Sequence, residues 1–539
     1  MNLRFHTHGC RTRSIRGFLF FLSLSFTAHS ALAQTPTITS FSPASGPVGA
    51  TVIITGTNFN TTASNDLVYV GGVRAVVNSA SSTSLSLAVP SGATYAPITV
   101  TDTTTGLTAY SKLPFIVTFP GSRGVNNSSF LKEIDLTTGA GPRKIAIADI
   151  DNDGKPDIVV ANASDGTISV LLNTSTTGSL TDGSFAPKVD LTVGGYPSEV
   201  AFGDLDGDGR VDIVVGNSNS VSVFQNFSVP HNVAFGLPVT LSTLAEGGKV
   251  AIGDIDGDGR PDIAVAYWSG WNSPVSILRN TCTKGLLSTA SFAPEVDFTV
   301  SPYFNTVAIA DVDGDGKPDL VITNNYSNTV SVLRDTGTVG NIQFAGKVDF
   351  ATGSFPVAVT VGDIDGDGKP DLVIVNSGSN TVSVLRNIAV SGSITPGSFA
   401  SKIDFPTGVG PNDVAIGDVN GDGKPDLVVA NSNGNTVSVL RNTATSGSIT
   451  SNSFAPKIDF TIGGNPYGVA VGDLDGDGRP DIVVSNNNRD TLSLLRNVSS
   501  VPAPTLLFPS DGATRQSRTM YNSQGIRISF RASFLMTRQ

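Results

Sequence analysis

Seven short acidic segments of the sequence share one spacing of oxygen-bearing side chains. The pattern DxDxDGxxD begins at Asp149 and recurs at Asp204, Asp254, Asp311, Asp363, Asp418 and Asp473, with Asn420 replacing the second Asp of the sixth copy. Oxygens at positions 1, 3 and 5 of a tight loop point inward together, and the Gly at position 6 allows the sharp turn. Position 7 offers its backbone carbonyl and position 9 closes the shell. The spacing therefore predicts an all-oxygen site for a hard cation in each copy.

Calcium is the cation that this pattern favours, because magnesium prefers stricter octahedral geometry and the loops have no thiolate or imidazole for zinc or copper. Position 7 is always Lys or Arg, which fits a residue that contributes its carbonyl while its side chain reaches solvent. We expect up to seven Ca²⁺ ions, one per repeat, with the Asn420 loop the weakest by one charge. The predicted ligands are Asp149, Asp151, Asp153, Lys155, Asp157, Asp204, Asp206, Asp208, Arg210, Asp212, Asp254, Asp256, Asp258, Arg260, Asp262, Asp311, Asp313, Asp315, Lys317, Asp319, Asp363, Asp365, Asp367, Lys369, Asp371, Asp418, Asn420, Asp422, Lys424, Asp426, Asp473, Asp475, Asp477, Arg479 and Asp481.

The charge balance supports metal sites over solvated turns. The loops hold 27 of the 45 acidic residues, so the net negative charge of the chain is concentrated in them. Carboxylates about 4 Å apart repel by about 1 to 4 kcal/mol, depending on the effective dielectric, and a divalent cation would relieve that repulsion. An acidic chain without basic clusters also argues against nucleic acid as a partner.

Strands must position these loops. Runs such as VAIGD precede the loops and runs such as DIVVAN follow them, so each loop joins two strands. The loops are not EF-hands, because an EF-hand has Glu at its twelfth position, where the first copy has Val160. Each repeat of 50 to 57 residues contains four β-like runs, typical of a propeller blade. The sequence predicts an all-β fold with a seven-bladed β-propeller; an open solenoid is the alternative. A strand at 130–136 has no local partner, and we expect it to close the ring beside 491–497.

Residues 130–497, with their DxDxDGxxD loops, resemble the FG-GAP/VCBS repeat family, whose relatives include the propeller of integrin α subunits. The resemblance implies Ca²⁺ in the loop between the two inner strands and does not imply one activity. Residues 35–119 form a separate β unit. Their opening from Ser42 to Phe59 is similar to the IPT/TIG immunoglobulin-like β-sandwich, which implies a spacer or adhesion module.

The two ends of the chain differ from this pattern. Residues 1–33 contain four Arg, an apolar run and Ala31 to Ala33, which predicts a signal peptide cleaved near Ala33 and a secreted or cell-surface protein without a transmembrane segment in its mature chain. Cys282 is then the only cysteine, so no intrachain disulfide is expected. Residues 498–539 begin like a fibronectin type III-like strand but are too few to complete that sandwich, so we expect a truncated or disordered tail.

A binding or adhesion role for an extracellular carbohydrate or protein ligand is the favoured function, and we expect a monomer. An aromatic patch on the face opposite the acidic loops is the candidate ligand surface: Tyr267, Trp268, Trp271, Tyr303 and Phe304. Packing at a blade edge would explain the same aromatics.

After the predicted cleavage His231 is the only histidine, and no Ser/His/Asp set is visible, so we expect no catalytic residues. A carbohydrate-active enzyme, of polysaccharide lyase or hydrolase type on a calcium-stabilised propeller, is the alternative.

Overall fold

The computed structural model describes residues 34–120, 124–131, 134–243, 248–267, 274–300 and 304–499, and two short strands near the C-terminus. The predicted signal peptide and most of the predicted tail lie outside these residues. The described residues form β-strands and two short 3₁₀ turns, Ala63–Asn65 and Thr289–Ser291. The prediction of an all-β chain is confirmed. Among the described residues there is no helix with the length and apolar character needed to cross a bilayer.

The N-terminal domain is a sandwich of two four-stranded sheets. Its strands are β1 (Thr37–Ser42), β2 (Ser45–Gly46), β3 (Thr51–Thr57), β4 (Asp66–Val70), β5 (Val73–Ala75), β6 (Val77–Ser81), β7 (Ser84–Ala88), β8 (Pro97–Asp102), β9 (Leu107–Pro114) and β10 (Ile116–Val117). One sheet has the order β1-β3-β7-β6 and the other β5-β4-β8-β9. Burial alternates along β3, as expected for a strand with one face in a core, and Val52 and Ile54 pack there against Leu85 and Ile98 of the other strands.

The repeats form seven four-stranded antiparallel sheets within the described residues. The strands are β11 (Ile134–Thr137), β12 (Pro142–Ala148), β13 (Asp157–Asn162), β14 (Thr167–Leu171), β15 (Val189–Thr192), β16 (Glu199–Gly203), β17 (Asp212–Gly216), β18 (Ser220–Phe224), β19 (Val239–Ser242), β20 (Lys249–Gly253), β21 (Asp262–Ala266), β22 (Pro274–Leu278), β23 (Val296–Thr299), β24 (Phe304–Ala310), β25 (Asp319–Asn324), β26 (Thr329–Leu333), β27 (Val348–Ala351), β28 (Pro356–Gly362), β29 (Asp371–Asn376), β30 (Thr381–Leu385), β31 (Ile403–Pro406), β32 (Pro411–Gly417), β33 (Asp426–Asn431), β34 (Thr436–Leu440), β35 (Ile458–Thr461), β36 (Pro466–Gly472), β37 (Asp481–Asn486) and β38 (Thr491–Leu495). Outside the ring, β39 (Met520–Tyr521) pairs with β40 (Arg527–Ile528).

The sheets are arranged in a ring. Six of them follow the chain, from β12-β13-β14-β15 to β32-β33-β34-β35, and the first strand of each contacts the first strand of the next. The second strands, such as β13 and β33, are buried at every residue because neighbouring sheets cover both of their faces. This is the propeller that the repeat pattern predicts.

The seventh sheet joins the two ends of the repeat region in the order β11-β38-β37-β36. β11 is antiparallel to β38, with Ile134 opposite Leu494, and Ser493 Oγ donates a hydrogen bond to Asp135 Oδ1 at 2.7 Å. β36 contacts β12, so the inner strands form a closed circle. The seventh sheet therefore joins the two ends of the repeat region and completes the ring.

The N-terminal domain lies against the face of the ring that carries the acidic loops. The backbone N–H of Asp149 donates to Gly72 O at 2.9 Å, and Tyr69 Oη donates to Gly209 O at 2.8 Å. Two further contacts reach other loops: Thr108 N–H to Gly259 O at 2.7 Å, and Lys112 Nζ to Asp311 Oδ2 at 2.8 Å. The domain thus covers this end of the ring axis.

Candidate metal centre

Each acidic loop joins the first and second strands of one sheet and turns through two left-handed residues. In the first loop these are Asn152 at position 4, with φ 60°, and Gly154 at position 6, with φ 88°. The other six loops have Gly with positive φ at both positions, from Gly207 and Gly209 onward. Glycine adopts this conformation without strain and Asn tolerates it. Only position 6 was predicted to need this conformation; the small residue at position 4 of every copy was the available signal.

Backbone N–H groups hold the carboxylates inside the turn. In the first loop Asp153 N–H donates to Asp151 Oδ1 at 3.1 Å, Gly154 N–H to Asp149 Oδ2 at 3.1 Å, and Lys155 N–H to Asp153 Oδ1 at 2.9 Å. The same three bonds recur in the second and third loops. These bonds hold the carboxylates of positions 1, 3 and 5 against the backbone of their own loop.

Position 9 anchors the loop to the rest of its sheet. Asp157 is fully buried; its Oδ2 accepts Ile150 N–H at 2.8 Å and its Oδ1 accepts Asn173 N–H at 2.7 Å. The equivalent Asp makes both bonds in all seven loops. This carboxylate therefore has a structural role that the sequence analysis did not identify, in addition to its place in the predicted ligand shell.

Three buried carboxylates converge in the first loop, and one of their oxygens has no hydrogen-bond partner. Ligand atoms of Asp149, Asp151 and Asp157 all lie within 4.8 Å of one another. Asp149 is 0% exposed, and its Oδ1 is unpaired. The corresponding Oδ1 is also unpaired in Asp204, Asp254 and Asp311, whereas in the last three loops it accepts a backbone N–H. A buried unpaired carboxylate oxygen is costly, and a bound cation would satisfy it.

The electrostatics of the loops favour a counter-cation. Burial, reinforced by neighbouring carboxylates, raises the pKa of Asp149 to about 7 and that of Asp204 to about 8. Burial also raises the pKa of Asp157 to about 8. Without a cation, these groups would hold protons near neutral pH, because a cluster of buried negative charges is unfavourable.

Arginines that follow the third strand of a sheet reach into four of the loops. Arg386 donates from Nη2 to Asp367 Oδ2 at 2.7 Å and from Nε to Asp365 Oδ2. Arg279, Arg334 and Arg496 lie equivalently against positions 3 and 5 of their own loops. The first and second loops have Leu172 and Gln225 at this place in the repeat. These arginines were not predicted, although the recurring Arg directly after the third strand, as in SVLRN, was a visible signal.

The side chain at position 7 has a different role from the predicted one. Lys155 Nζ donates to Ser175 O at 2.9 Å, and Lys369 Nζ donates to Ala389 O at 2.8 Å. Lys317, Arg260 and Lys424 also bond a carbonyl some 20 residues further on. The expectation that these side chains only reach solvent is wrong, because the segment after the third strand of each sheet folds back beside the loop and offers its carbonyls.

Buried asparagines connect each loop to the loop of the preceding sheet. Asn226 Nδ2 donates to Ile150 O of the first loop and to Val211 O of its own loop, both at 2.9 Å. Five other repeats make the same pair of bonds through Asn173, Asn280, Asn387, Asn442 and Asn497. The remaining repeat has Asp335 at this position. Side-chain hydrogen bonds from these asparagines thus connect neighbouring loops around the ring. This relation between repeats was not predicted from the sequence.

His231 lies beside the first loop. Its backbone N–H donates to Asp151 Oδ2 at 2.5 Å, and its Nδ1 is 3.7 Å from Asp153 Oδ2. In the sequence this histidine was notable only for lacking a Ser/His/Asp set around it. The structure instead adds an exposed imidazole to the border of the first loop.

The predicted aromatic patch is only partly described, and one member is wrongly assigned. Tyr267 is 0% exposed and packs in a core cluster with Val265, Leu278 and Phe292, so it is not part of an exposed surface. It follows a fully buried strand, and its ring continues the apolar core beyond the strand end. Trp268, Trp271 and Tyr303 lie outside the described residues, and Phe304 is described only as the first residue of β24.

A ring of repeated four-stranded sheets with an acidic loop after each first strand defines a β-propeller class. A family model described as an FG-GAP-like repeat matches residues 149–215, 204–265, 254–322, 311–374, 363–429 and 418–484, each match running from one acidic loop past the next. These matches cover more than half of the chain, so the chain belongs to the FG-GAP-like repeat family. An IPT/TIG domain model matches residues 36–116, the N-terminal sandwich.

Solved structures with similarity to the chain include a virginiamycin B lyase from Staphylococcus aureus, with 16% identity and a TM-score of 0.44 over 68% of this chain and 98% of that one. Another is an auxiliary nutrient binding protein from Bacteroides thetaiotaomicron, with 12% identity and a TM-score of 0.35 over 86% of this chain and 98% of that one. Identities and scores this low do not indicate a shared activity. A comparison with curated proteins found no match.

Proposed function

We propose that the protein is an exported, calcium-binding propeller that binds an extracellular carbohydrate or protein ligand. The metal part of the proposal depends chiefly on one observation, the buried and unpaired Asp149 Oδ1 beside two further carboxylates. Calcium takes six to eight oxygen ligands in flexible geometry, which suits a loop of carboxylates and carbonyls. The seven loops supply such oxygens at the same positions of every repeat.

The loops differ as calcium sites. The loop beginning at Asp149 has an unpaired oxygen and no ion pair with an arginine among the described residues, whereas in the loop at Asp204 Arg210 Nη1 lies 2.8 Å from Asp208 Oδ2. The loops at Asp254 and Asp311 have the unpaired oxygen together with an arginine that already offsets part of their charge. We therefore infer that the first loop binds calcium most tightly, and that the sixth, with Asn420, is the weakest.

The binding role follows from the architecture that the metals would support. A closed ring of packed sheets presents a rigid surface, and loops on such a scaffold commonly form binding sites. Export follows from the predicted signal peptide. N-terminal sequencing of the protein recovered outside its own cells tests that part, with Gln34 as the expected first residue.

The decisive experiment measures metal content and stability together. The full chain is passed through a gel-filtration column, its bound metal is counted by mass spectrometry, and its melting temperature is recorded with calcium, with chelator, and with chelator plus magnesium. Each site saturated 100-fold over its Kd adds about 2.7 kcal/mol to stability. We expect chelation to lower the melting temperature and magnesium to restore it poorly.

Matched variants locate the effect. Asp149→Asn should lose about one calcium per chain, whereas Asp190→Asn, which alters an exposed ion pair with Lys188 outside the loops, should lose none. Absence of bound calcium together with an unchanged melting temperature in chelator would refute the metal proposal. Product analysis on glycan substrates distinguishes the binding role from the enzyme alternative, since a binder releases no cleaved product.

A further inference from the structure

The first strands of the seven sheets surround a cavity of about 150 Å³ on the axis of the ring. Residues from all seven of these strands line it, among them Lys144, Glu199, Lys249 and Asp413. Lys144, Glu199 and Lys249 lie within the first three residues of their strands, so the cavity is at the end of the ring opposite the acidic loops. Its volume corresponds to roughly ten water molecules, which is comparable with a single sugar ring.

Four charged side chains form a continuous chain across this cavity. Lys144 Nζ donates to both carboxylate oxygens of Asp413, at 2.9 and 3.0 Å, and lies 4.0 Å from Glu199 Oε1. Lys249 Nζ is 3.0 Å from Glu199 Oε2. Glu199 and Asp413 are more than nine-tenths buried, with exposures of 9% and 6%. The cavity therefore has alternating donors and acceptors and no net charge from these four groups.

An aromatic ring beside the charges is held rigidly in place. Tyr467 lines the cavity, and the Arg143 guanidinium lies between the rings of Tyr467 and Tyr196, with Cζ 4.6 Å from each centroid. Arg143 also donates to both phenol oxygens, at 3.2 Å to Tyr467 and 2.6 Å to Tyr196. This arrangement fixes the plane of Tyr467 at the wall of a polar cavity.

The N-terminal domain covers the other end of the axis. Gly72 lies against Ile147 and Ala148, the last residues of β12, and Tyr95 lies against Gly362, the last residue of β28. A ligand would therefore enter from the face opposite the acidic loops.

We propose that this axial cavity binds a neutral polyhydroxylated ligand, namely one sugar residue at the end of an extracellular glycan chain. Each hydroxyl group both donates and accepts, so a polyol can bond to ammonium and carboxylate groups that alternate along one wall. A ligand with net charge would leave one sign of the paired charges unmatched in a buried site. The face of Tyr467 supplies apolar contact for the ring carbons of a sugar. This inference depends on the proposed binding role and replaces the predicted aromatic patch by a different site.

The test uses the full chain saturated with calcium. Saturation-transfer NMR detects which members of a panel of neutral monosaccharides bind, and calorimetry measures the affinity of those that do. We expect at least one neutral sugar to bind, and Glu199→Gln to weaken it by about ten-fold or more, since hydrogen bonds to charged groups contribute that much. Lys188→Met, which removes an exposed charge on the outside of the ring, is the control and should leave the affinity unchanged. Tyr467→Leu is a second variant for the case in which Glu199→Gln fails to fold.

Three outcomes would overturn the inference: no neutral sugar binds, the affinity is the same in folded Glu199→Gln or Tyr467→Leu, or only charged ligands such as amino acids or uronates bind. The metal proposal is tested separately by the calcium count on the same samples. If the chain binds a sugar but retains no calcium, only the metal proposal is refuted. If it binds calcium but no sugar, only the proposal of an axial sugar site is refuted.

Discussion

Replacing the buried asparagine that connects two neighbouring loops should destabilise the ring strongly. Asn226 is 0% exposed, donates to Ile150 O and Val211 O, and accepts Ser228 N–H at 2.8 Å. In Asn226→Ala, two carbonyls and one N–H lose these partners in a region without solvent. At about 1–3 kcal/mol for each unsatisfied buried group, with some relaxation, the loss is about 3–6 kcal/mol.

The repeat that contains Asp335 provides the matched opposite change. Asp335 is buried and occupies the place of the asparagine, and burial raises its pKa above the ordinary value. Its carboxylate cannot donate to the carbonyls of Ile255 and Pro318, which occupy the places of the two acceptors in the other repeats. Asp335→Asn supplies the two donors and removes a buried charge, so it should stabilise the ring by about 2 kcal/mol.

Urea unfolding of the full chain with saturating calcium, followed by far-ultraviolet circular dichroism, measures both changes. Asn219→Ala, at an exposed position of the same sheet, is the control and should stay within about 0.5 kcal/mol of the parent. A loss of less than about 1 kcal/mol in Asn226→Ala, or a destabilised Asp335→Asn, would show that these side chains do not hold neighbouring loops together.

Three other predictions concern the loops and the domain that covers them. Asn420→Asp should raise the calcium affinity of the sixth loop about ten-fold or more, which calorimetry would detect as an additional tight site; no change would exclude coordination there. In chelator, the protein should become more stable as the pH falls from 8 towards 5, because the raised pKa values of Asp157 and Asp204 mean that the folded state binds more protons than the unfolded state over this range. A melting temperature that falls over the same range in chelator would contradict the buried, cation-free carboxylates. Tyr69→Phe removes the 2.8 Å bond to Gly209 O and should release the N-terminal domain to proteases about five-fold faster or more; equal cleavage rates would show that this contact does not hold the domain.

The repeat pattern predicted most of the ring because its physical causes are local. Alternation of apolar and turn residues marks each strand, and the spacing of Asp149 to Asp157 recurs wherever a first strand meets a second. Counting strands left residues 130–136 without a local partner, and in the structure Ile134–Thr137 pairs with Thr491–Leu495. The FG-GAP-like and IPT/TIG assignments were likewise carried by short motifs, and both family models match.

Features that depend on contacts between repeats or domains were not predictable from the sequence. Nothing in the order of residues places Asn226 beside the loop of the preceding sheet, or Tyr69 beside Gly209. Tyr267 was misjudged because an aromatic residue just past a strand can lie in a core or on a rim, and only packing decides between them. The axial cavity was missed for a related reason, since Lys144 and Asp413 are 269 residues apart and meet only once the ring exists.

The pairing of β11 with β38 has a consequence for biosynthesis. The hydrogen bond from Ser493 to Asp135 spans 358 residues, so β11 stays without its strand partner until the end of the repeat region has been synthesised. Such a long-range closure is slow compared with local strand pairing. A truncated chain that stops one sheet early could not close the ring and would leave strand edges exposed for pairing with other chains. Translation to the final repeat is therefore needed to avoid aggregation.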